Sequence, residues 1–131
     1  MSDYKKLRVW RKAHALALNA HEAANKIRGN QYATFRSQII RAALSIPANI
    51  VEGREQQSEA GFGRFLRIAL GSTSELEYHL LAARDIRAIT SSDYVSLSAQ
   101  VVEVRMMLHG LLGSLNNSAN ASPPRNRNVP T

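Results

Sequence analysis

The sequence predicts an all-α protein: an antiparallel up-down-up-down four-helix bundle with a proline-kinked second helix and a disordered C-terminal tail. Apolar residues recur three and four positions apart in every long segment, and no segment alternates as a half-buried strand does. Short polar connections separate the four periodic segments, which favours antiparallel packing of neighbouring helices. At 131 residues the chain has the size of one domain, which we expect to span residues 1–116.

The first two predicted helices run from about Tyr4 to Ile27 and from about Gln31 to Gly53. Gly29 lies in the connection between them, where a residue with left-handed backbone commonly ends a helix. The apolar stripe of the first helix consists of Leu7, Trp10, Ala13, Ala17, Ala20, Ala24 and Ile27. That of the second consists of Phe35, Ile39, Ala42, Ala43, Ile46 and Ile50.

The third predicted helix begins after Ser58, whose hydroxyl suits an N-cap, and Glu59 places a carboxylate in the first turn. Its stripe consists of Phe62, Phe65, Leu66, Ala69, Leu76, Leu80, Ala83 and Ile86. A glycine inside a helix costs up to about 1 kcal/mol relative to alanine. We therefore interpret Gly71 and Ser72 as the point where another helix crosses closely.

The fourth predicted helix is capped by Ser91 or Ser92, with Asp93 in its first turn. Its stripe is the most regular in the chain: Tyr94, Leu97, Val101, Val104, Leu108, Leu111 and Leu115. Residues 117–131 are polar, contain proline and lack periodicity, which predicts a disordered tail.

The proline of the second helix lies beside a polar face. Pro47 cannot donate a backbone hydrogen bond to the carbonyl of Ala43, so a kink is expected there. The nearby polar residues of that helix are Arg41, Ser45, Asn49 and Glu52. If they are buried they require hydrogen-bond partners, and Arg41 or a serine of the facing helix is suitable. One interpretation is a structural polar cluster that sets helix register; the other is a binding or catalytic carboxylate at Glu52.

Four segments of the chain resemble, in order, the bacterial four-helix bundle proteins also called 23S rRNA intervening-sequence proteins or S23 ribosomal-protein-like proteins. The segments are LRVWRKAHALA, SQIIRAALSIPANIVEG, FLRIALGSTSELEYHLLAARDI and MMLHGLLGSL. The resemblance implies an antiparallel bundle that assembles into a homopentamer. It also implies relatives encoded within ribosomal RNA genes, and others that serve diversity-generating retroelements by binding nucleic acid and a reverse transcriptase. The loop RGNQYATF departs from the family in lacking its frequent Phe-Pro step.

The charge of the chain is uneven and basic. Its formal net charge is +7, and residues 1–28 hold seven basic side chains against two acidic ones. A basic cluster of this kind attracts polyanions by releasing their counterions. The predicted nucleic-acid contacts are Lys5, Lys6, Arg8, Arg11 and Lys12, extended by Arg64 and Arg67 of the third helix. Such a patch binds phosphates without reading bases, and the interleaved Trp10 is either a core anchor or a stacking platform.

Other patterns argue against an enzyme. Glu75 and His79 share a helix face, but the second Glu/His pair of a bundle metal site is lacking. His14 and His21 lie beside the alanine stripe of the first helix. We interpret them as residues at the edge between its apolar and polar faces, not as a ligand set. The absence of cysteine excludes thiolate sites and disulfides, and neither a nucleophile motif nor a phosphate-binding loop occurs. We therefore expect no catalytic residue, no cofactor and no metal.

The sequence thus predicts a non-enzymatic homo-oligomer, with the pentamer as the assembly that the resemblance implies. Its basic surface would bind the backbone of RNA or DNA, and a reverse transcriptase or a ribosomal component is the protein partner implied. The alternative is a protein-interaction scaffold whose basicity is incidental. No stretch approaches the roughly 20 apolar residues of a membrane span, so we expect a cytoplasmic protein without a membrane partner.

Overall fold

The computed structural model describes residues 3–120, with side chains through Asn117. Two 3-10 turns and four α-helices account for most of this range, and no strand occurs within it. The turns are Tyr4–Lys6, called the N-terminal turn below, and Asn30–Tyr32. The helices are α1 (Arg8–Asn25), α2 (Ala33–Arg54), α3 (Glu59–Asp85) and α4 (Ser91–Asn120).

The four helices form an antiparallel bundle, which confirms the predicted fold class. Helix α1 packs against α2 and α4, and α3 packs against the same two helices, so that α1 and α3 lie on a diagonal. Two ends of the bundle follow from this arrangement. We call the end where α1 and α3 begin and α2 and α4 finish the proximal end, and the opposite end the distal end.

The core is formed by mostly small side chains on α1, where Leu16 is the large fully buried residue, and by larger ones on the other helices. Ala13, Ala17, Ala20 and Ala24 of α1 are completely buried, which lets this helix approach its neighbours closely. Burying a Leu or Ile side chain stabilises a fold by about 1.5–3 kcal/mol, so the larger residues supply most of the stabilisation. Those with no exposed surface on α2, α3 and α4 are Ile39, Ile46, Ile50, Leu66, Leu76, Leu80 and Leu108.

Helix α2 continues through its proline. Pro47 is buried, and the helix runs unbroken from Ala33 to Arg54. The apolar neighbours Ile46 and Ile50 are also fully buried, so packing against the other helices holds this turn in place. A missing backbone donor therefore does not end a helix whose two flanking turns are both in the core.

The close helix approach expected at Gly71 and Ser72 is found at Ser72, which is buried against Ser45 of α2, but the expectation is wrong for Gly71. Gly71 is exposed, and a Cβ atom there would meet nothing within 4 Å. The tight contact lies at Gly53 near the end of α2, where a Cβ atom would come 2.8 Å from Cδ1 of Phe62. Phe62 begins the buried stripe of α3, so glycine at position 53 makes room for an aromatic ring of the next helix.

The ends of α3 and α4 are defined by specific hydrogen bonds. Ser58 Oγ accepts from Gly61 N at 3.0 Å, which confirms the predicted cap of α3. Helix α4 is capped by neither Ser91 nor Ser92: the hydroxyl of the preceding Thr90 accepts from Asp93 N at 3.0 Å. An N-cap residue directly precedes the first helical residue and accepts from an amide of the first turn, and Thr90 holds that position before Ser91.

The last turn of α3 closes around a residue with left-handed backbone. Arg87 has φ of 63°. Ala88 N donates to Ala83 O at 2.8 Å, and Arg87 N donates to Arg84 O at 2.9 Å. This bond pair is the Schellman ending that glycine usually serves.

Helix α4 also extends beyond the predicted domain boundary at residue 116. It continues to Asn120, because adding a residue to an established helix requires only a small free energy even for serine and asparagine. The rest of the predicted tail, residues 121–131, lies outside the described residues.

Candidate nucleic-acid interface

The N-terminal turn is capped by one side-chain hydrogen bond and held against the start of α1 by two more. Asp3 Oδ1 accepts from Lys5 N at 3.1 Å and so caps the turn. Arg11 Nη1 then donates to the carbonyl oxygens of Lys5 at 3.1 Å and Lys6 at 3.0 Å. Arg11, predicted as a phosphate contact, therefore also braces the backbone that carries two of the other cations.

Three of the predicted cations are exposed and uncompensated. Lys5, Lys6 and Arg8 are all exposed, and none forms an ion pair within residues 3–117. Lys12 differs, because its Nζ lies 3.3 Å from Oε2 of Glu103 on α4. The five predicted cations of the N-terminal turn and α1 thus comprise three free cations, one brace and one paired lysine.

The pairing of Lys12 belongs to a regular contact between α1 and α4. Polar residues at seven-residue intervals along α1 and its C-cap each meet a residue of α4. The pairs are Lys12 with Glu103 at 3.3 Å, Asn19 with Gln100 at 2.9 Å, and Lys26 with Asp93 at 3.3 Å. The carboxylate of Glu103 therefore partly offsets the charge of Lys12.

The two arginines predicted on α3 lie at the proximal end but at another corner of it. Arg64 and Arg67 are exposed on the first turns of α3, which is diagonal to α1. The guanidinium of Arg64 lies 4.4 Å from the ring centroid of Phe65, in a cation–π contact. These residues share an end of the bundle with Lys5, Lys6 and Arg8, but they do not continue the same helix surface.

An aromatic stack lies directly beside the free cations. The rings of Trp10 and His14 are nearly parallel, with centroids 4.8 Å apart and planes 9° apart. Tyr4 meets Trp10 edge to face at 5.1 Å and 68°. Trp10 is half-buried and packs against the core, so it acts as an anchor, as one of the two interpretations expected. The four-residue spacing of Trp10 and His14 is the signal from which this stack could have been anticipated.

The four polar residues predicted as one cluster on α2 do not all lie together in the structure. Ser45 Oγ lies 2.7 Å from Ser72 Oγ of α3, which is the facing serine that the sequence led us to expect. Asn49 Nδ2 donates to Ser45 O at 2.8 Å and to Ser45 Oγ at 3.0 Å. Arg41 and Glu52 lie outside this group. Ser45, Asn49 and Ser72 together connect α2 to α3 next to Pro47.

Arg41 and Glu52 have other surroundings. Arg41 is exposed and forms an ion pair with Glu75 of α3, and its Nη2 also donates to Gln38 Oε1 at 2.7 Å. Glu52 is exposed, so its carboxylate is not a buried group that requires a partner within the bundle. The role of Glu75 is therefore to pair α2 with α3.

The remaining candidate ligands are dispersed. His79 Nε2 lies 3.6 Å from Oε2 of Glu75, whose carboxylate also contacts Arg41. His21 Nδ1 is 3.4 Å from the side-chain amide of Asn25. In the part of the chain that the structure describes, no three His, Cys, Asp or Glu side chains gather in a way that could hold a metal ion.

Comparison with known proteins supports the fold and places the chain in a family. None of the described helices is long and apolar enough to cross a membrane. The chain is similar to a crystal structure of a protein of unknown function from the S23 ribosomal protein family of Bacteroides thetaiotaomicron. The two are 30% identical with a TM-score of 0.74, and the match covers 79% of this chain and 97% of that one. A comparison with curated proteins finds no match. The family model of the 23S rRNA-intervening sequence proteins matches residues 5–110, and the chain belongs to that family.

Proposed function

We propose that this protein is a non-enzymatic homo-oligomer that binds the phosphate backbone of RNA or DNA through its proximal end. The observation that carries the proposal is the group formed by Lys5, Lys6 and Arg8, three exposed cations without a carboxylate partner among the described residues. We call this group the free-cation cluster. It accounts for most of the local charge, since residues 3–12 hold five basic side chains and one acidic one.

The physical basis is the release of counterions. A lysine or arginine that approaches a nucleic-acid phosphate displaces condensed cations, and the gain in free energy falls as salt concentration rises. A cation already paired with a carboxylate has less to gain, so Lys12 contributes less than the free-cation cluster. Contacts of this kind position a backbone and do not read sequence, so the proposed binding is non-specific.

The brace at Arg11 supports binding by ordering the cluster in advance. Its two hydrogen bonds fix the backbone at Lys5 and Lys6 before a ligand arrives. A ligand that meets a preorganised segment loses less conformational entropy on binding. Arg64 and Arg67 form a second basic corner that a longer strand would reach across the same end.

Homo-oligomeric assembly is the second part of the proposal. Several large apolar side chains are well exposed on the single chain: Leu18, Leu44, Ile68, Tyr78, Ile86, Val95, Val102 and Met106. Contact between copies would cover part of this surface and would present several free-cation clusters to one strand, which raises the overall affinity. The pentamer, the cytoplasmic location and a reverse transcriptase or ribosomal component as partner remain part of the proposal through the family resemblance.

A protein-interaction scaffold is the second candidate. The observation that favours it is the group of apolar residues exposed on α4, of which Val95 is 65% and Met106 68% accessible. An exposed apolar patch is typical of a protein interface. The two candidates differ in their dependence on salt, because only phosphate contacts involve counterion release.

The test is filter binding of 20-nucleotide uridine and thymidine strands between 50 and 200 mM salt. The triple variant Lys5→Ser, Lys6→Ser, Arg8→Ser is compared with the unaltered protein. We expect the slope of log affinity against log salt to become shallower by about 2, at roughly 0.7 for each phosphate contact with a single strand.

The matched control removes three cations from the distal end, with the substitutions Lys26→Ser, Arg28→Ser and Arg87→Gly. It has the same net charge as the triple variant, so an effect of overall charge alone would change both slopes equally. Equal slopes for the two variants, or no binding by the unaltered protein at 50 mM salt, would refute the proposal.

A further inference from the structure

Tyr4 is the aromatic residue that lies next to the free-cation cluster in the sequence. It is the first residue of the N-terminal turn, it is adjacent in sequence to Lys5 and Lys6, and it is partly exposed. Within the described residues its ring contacts one other aromatic ring, that of Trp10. Its hydroxyl makes no hydrogen bond in the same part of the chain, so nothing there ties it to the protein.

The edge-to-face geometry leaves at least one face of the Tyr4 ring uncovered by Trp10. At an angle of 68° between the ring planes, one ring presents its edge to the face of the other. If Tyr4 supplies the edge, neither of its faces is covered by Trp10. If Trp10 supplies the edge, it covers one face of Tyr4. In both arrangements at least one face of the Tyr4 ring is not taken by Trp10.

Trp10 is a poorer candidate for contact with a base. One of its faces lies against the parallel ring of His14, and the residue is packed against the core. Trp10 instead supports the Tyr4 ring through their edge-to-face contact. The stack therefore holds a partly exposed tyrosine at its outer end, beside the free-cation cluster.

An aromatic face next to basic side chains is the combination that binds single-stranded nucleic acid. The cations follow the phosphates while an unpaired base stacks on the ring, and every base has a face suited to this. The bases of a duplex are already paired and stacked, so a duplex can use only the cations. We propose that Tyr4 is a stacking platform for an unpaired base, so that this interface prefers single strands to duplexes. The inference rests on the proposed function, whose site it extends.

The experiment measures the binding of Tyr4 variants to 20-nucleotide single strands and to 20-base-pair duplexes, each as RNA and as DNA. We expect Tyr4→Ala to weaken single-strand binding by about 5- to 150-fold, the range for loss of one base–aromatic stack. Duplex affinity is expected to stay within about 2-fold, since phosphate contacts alone carry it. The salt slope should not change, because a neutral ring releases no counterions.

Two further variants separate stacking from effects on the fold. Tyr4→Phe keeps the ring and should retain single-strand affinity within about 2-fold. Tyr4→Leu keeps apolar contact with Trp10 but has no π face, and should lose affinity as alanine does. Loss with alanine and leucine but not with phenylalanine, at an unchanged thermal unfolding midpoint, supports the proposal. A loss restricted to RNA or to DNA supports it and assigns the kind of strand.

Other outcomes overturn the inference. These are an equal loss for single strands and duplexes, no loss for either, or full affinity with Tyr4→Leu. Failure of the proposed function would be distinguishable, because the triple variant of the free-cation cluster would then also leave both affinities unchanged. If the triple variant weakens binding and Tyr4→Ala does not, only the stacking role is refuted.

Discussion

At the scale of single residues, two glycines of this bundle have opposite environments. A Cβ atom at Gly53 would lie 2.8 Å from Cδ1 of Phe62 and 3.1 Å from Cβ of Phe65. Gly71 faces open space, where a methyl group would meet nothing within 4 Å. Only the first glycine is required by packing, and the second simply lowers the helix propensity of α3.

We therefore expect alanine to have opposite effects at the two positions. Gly53→Ala should lower the free energy of unfolding by about 1–3 kcal/mol, because the backbone or the Phe62 ring must move. Gly71→Ala should raise it by about 0.5–1 kcal/mol through helix propensity. Denaturant unfolding at equal protein concentration measures both, and changes of the same sign would contradict this account.

At the scale of elements, the contact between α2 and α3 includes a small polar group among apolar neighbours. Ser45 and Ser72 share a hydrogen bond of 2.7 Å, and Asn49 donates to Ser45 from the next turn of α2. Ser72 is buried and Ser45 half-buried. A group of this kind favours one register of the two helices, because sliding would leave buried polar atoms unpaired.

A double-mutant cycle tests the coupling of the two serines. Ser45→Ala and Ser72→Ala should each lower the free energy of unfolding by about 0.5–1.5 kcal/mol, since each removes the hydrogen bond between the two hydroxyls. Ser72 Oγ keeps its bond to Ile68 O, and Ser45 Oγ keeps its bond from Asn49 Nδ2. The double variant should lose less than the sum of the two, with a coupling free energy of about 0.5–1.5 kcal/mol. Strictly additive losses would show that the hydroxyls do not act together.

The elements themselves could be predicted from sequence, and several of their contacts could not. The three-and-four spacing of apolar residues identifies all four helices, and the hydroxyl of Ser58 identifies the start of α3. The role of a glycine depends on which side chain of another helix faces it, so spacing within α3 does not reveal that Ser72 and not Gly71 meets α2, or that Gly53 meets Phe62. Likewise the pairing of Lys12 depends on the register of α4, and the brace at Arg11 depends on a turn folding back over α1. Sequence spacing within one helix contains none of this information.

At the scale of the whole molecule, α4 presents a second apolar seam toward the outside of the bundle. Val95, Ala99, Val102 and Met106 are exposed and spaced four, three and four apart. This is the spacing of a coiled-coil seam, which packs readily against another helix of the same pattern. We expect a second copy of this chain to cover it.

Light scattering at micromolar concentration tests that expectation. The unaltered protein should have a mass that is a multiple of the 14.5 kDa chain. Val102→Glu with Met106→Glu should shift the mass toward one chain, since burying two carboxylates at the contact is unfavourable. The matched control, Gln56→Glu with Gln57→Glu in the exposed polar connection between α2 and α3, should leave the mass unchanged. A single-chain mass for the unaltered protein would refute the assembly.

Trp10 is the only tryptophan of the chain, and it lies between Tyr4 and His14 at one corner of the proximal end. Its intrinsic emission therefore comes from that corner alone, whereas circular dichroism averages over all four helices. Following both signals during heating would show whether the corner loosens before the bundle or melts together with it. The molecule thus carries a built-in optical probe at the place where we expect a strand to bind.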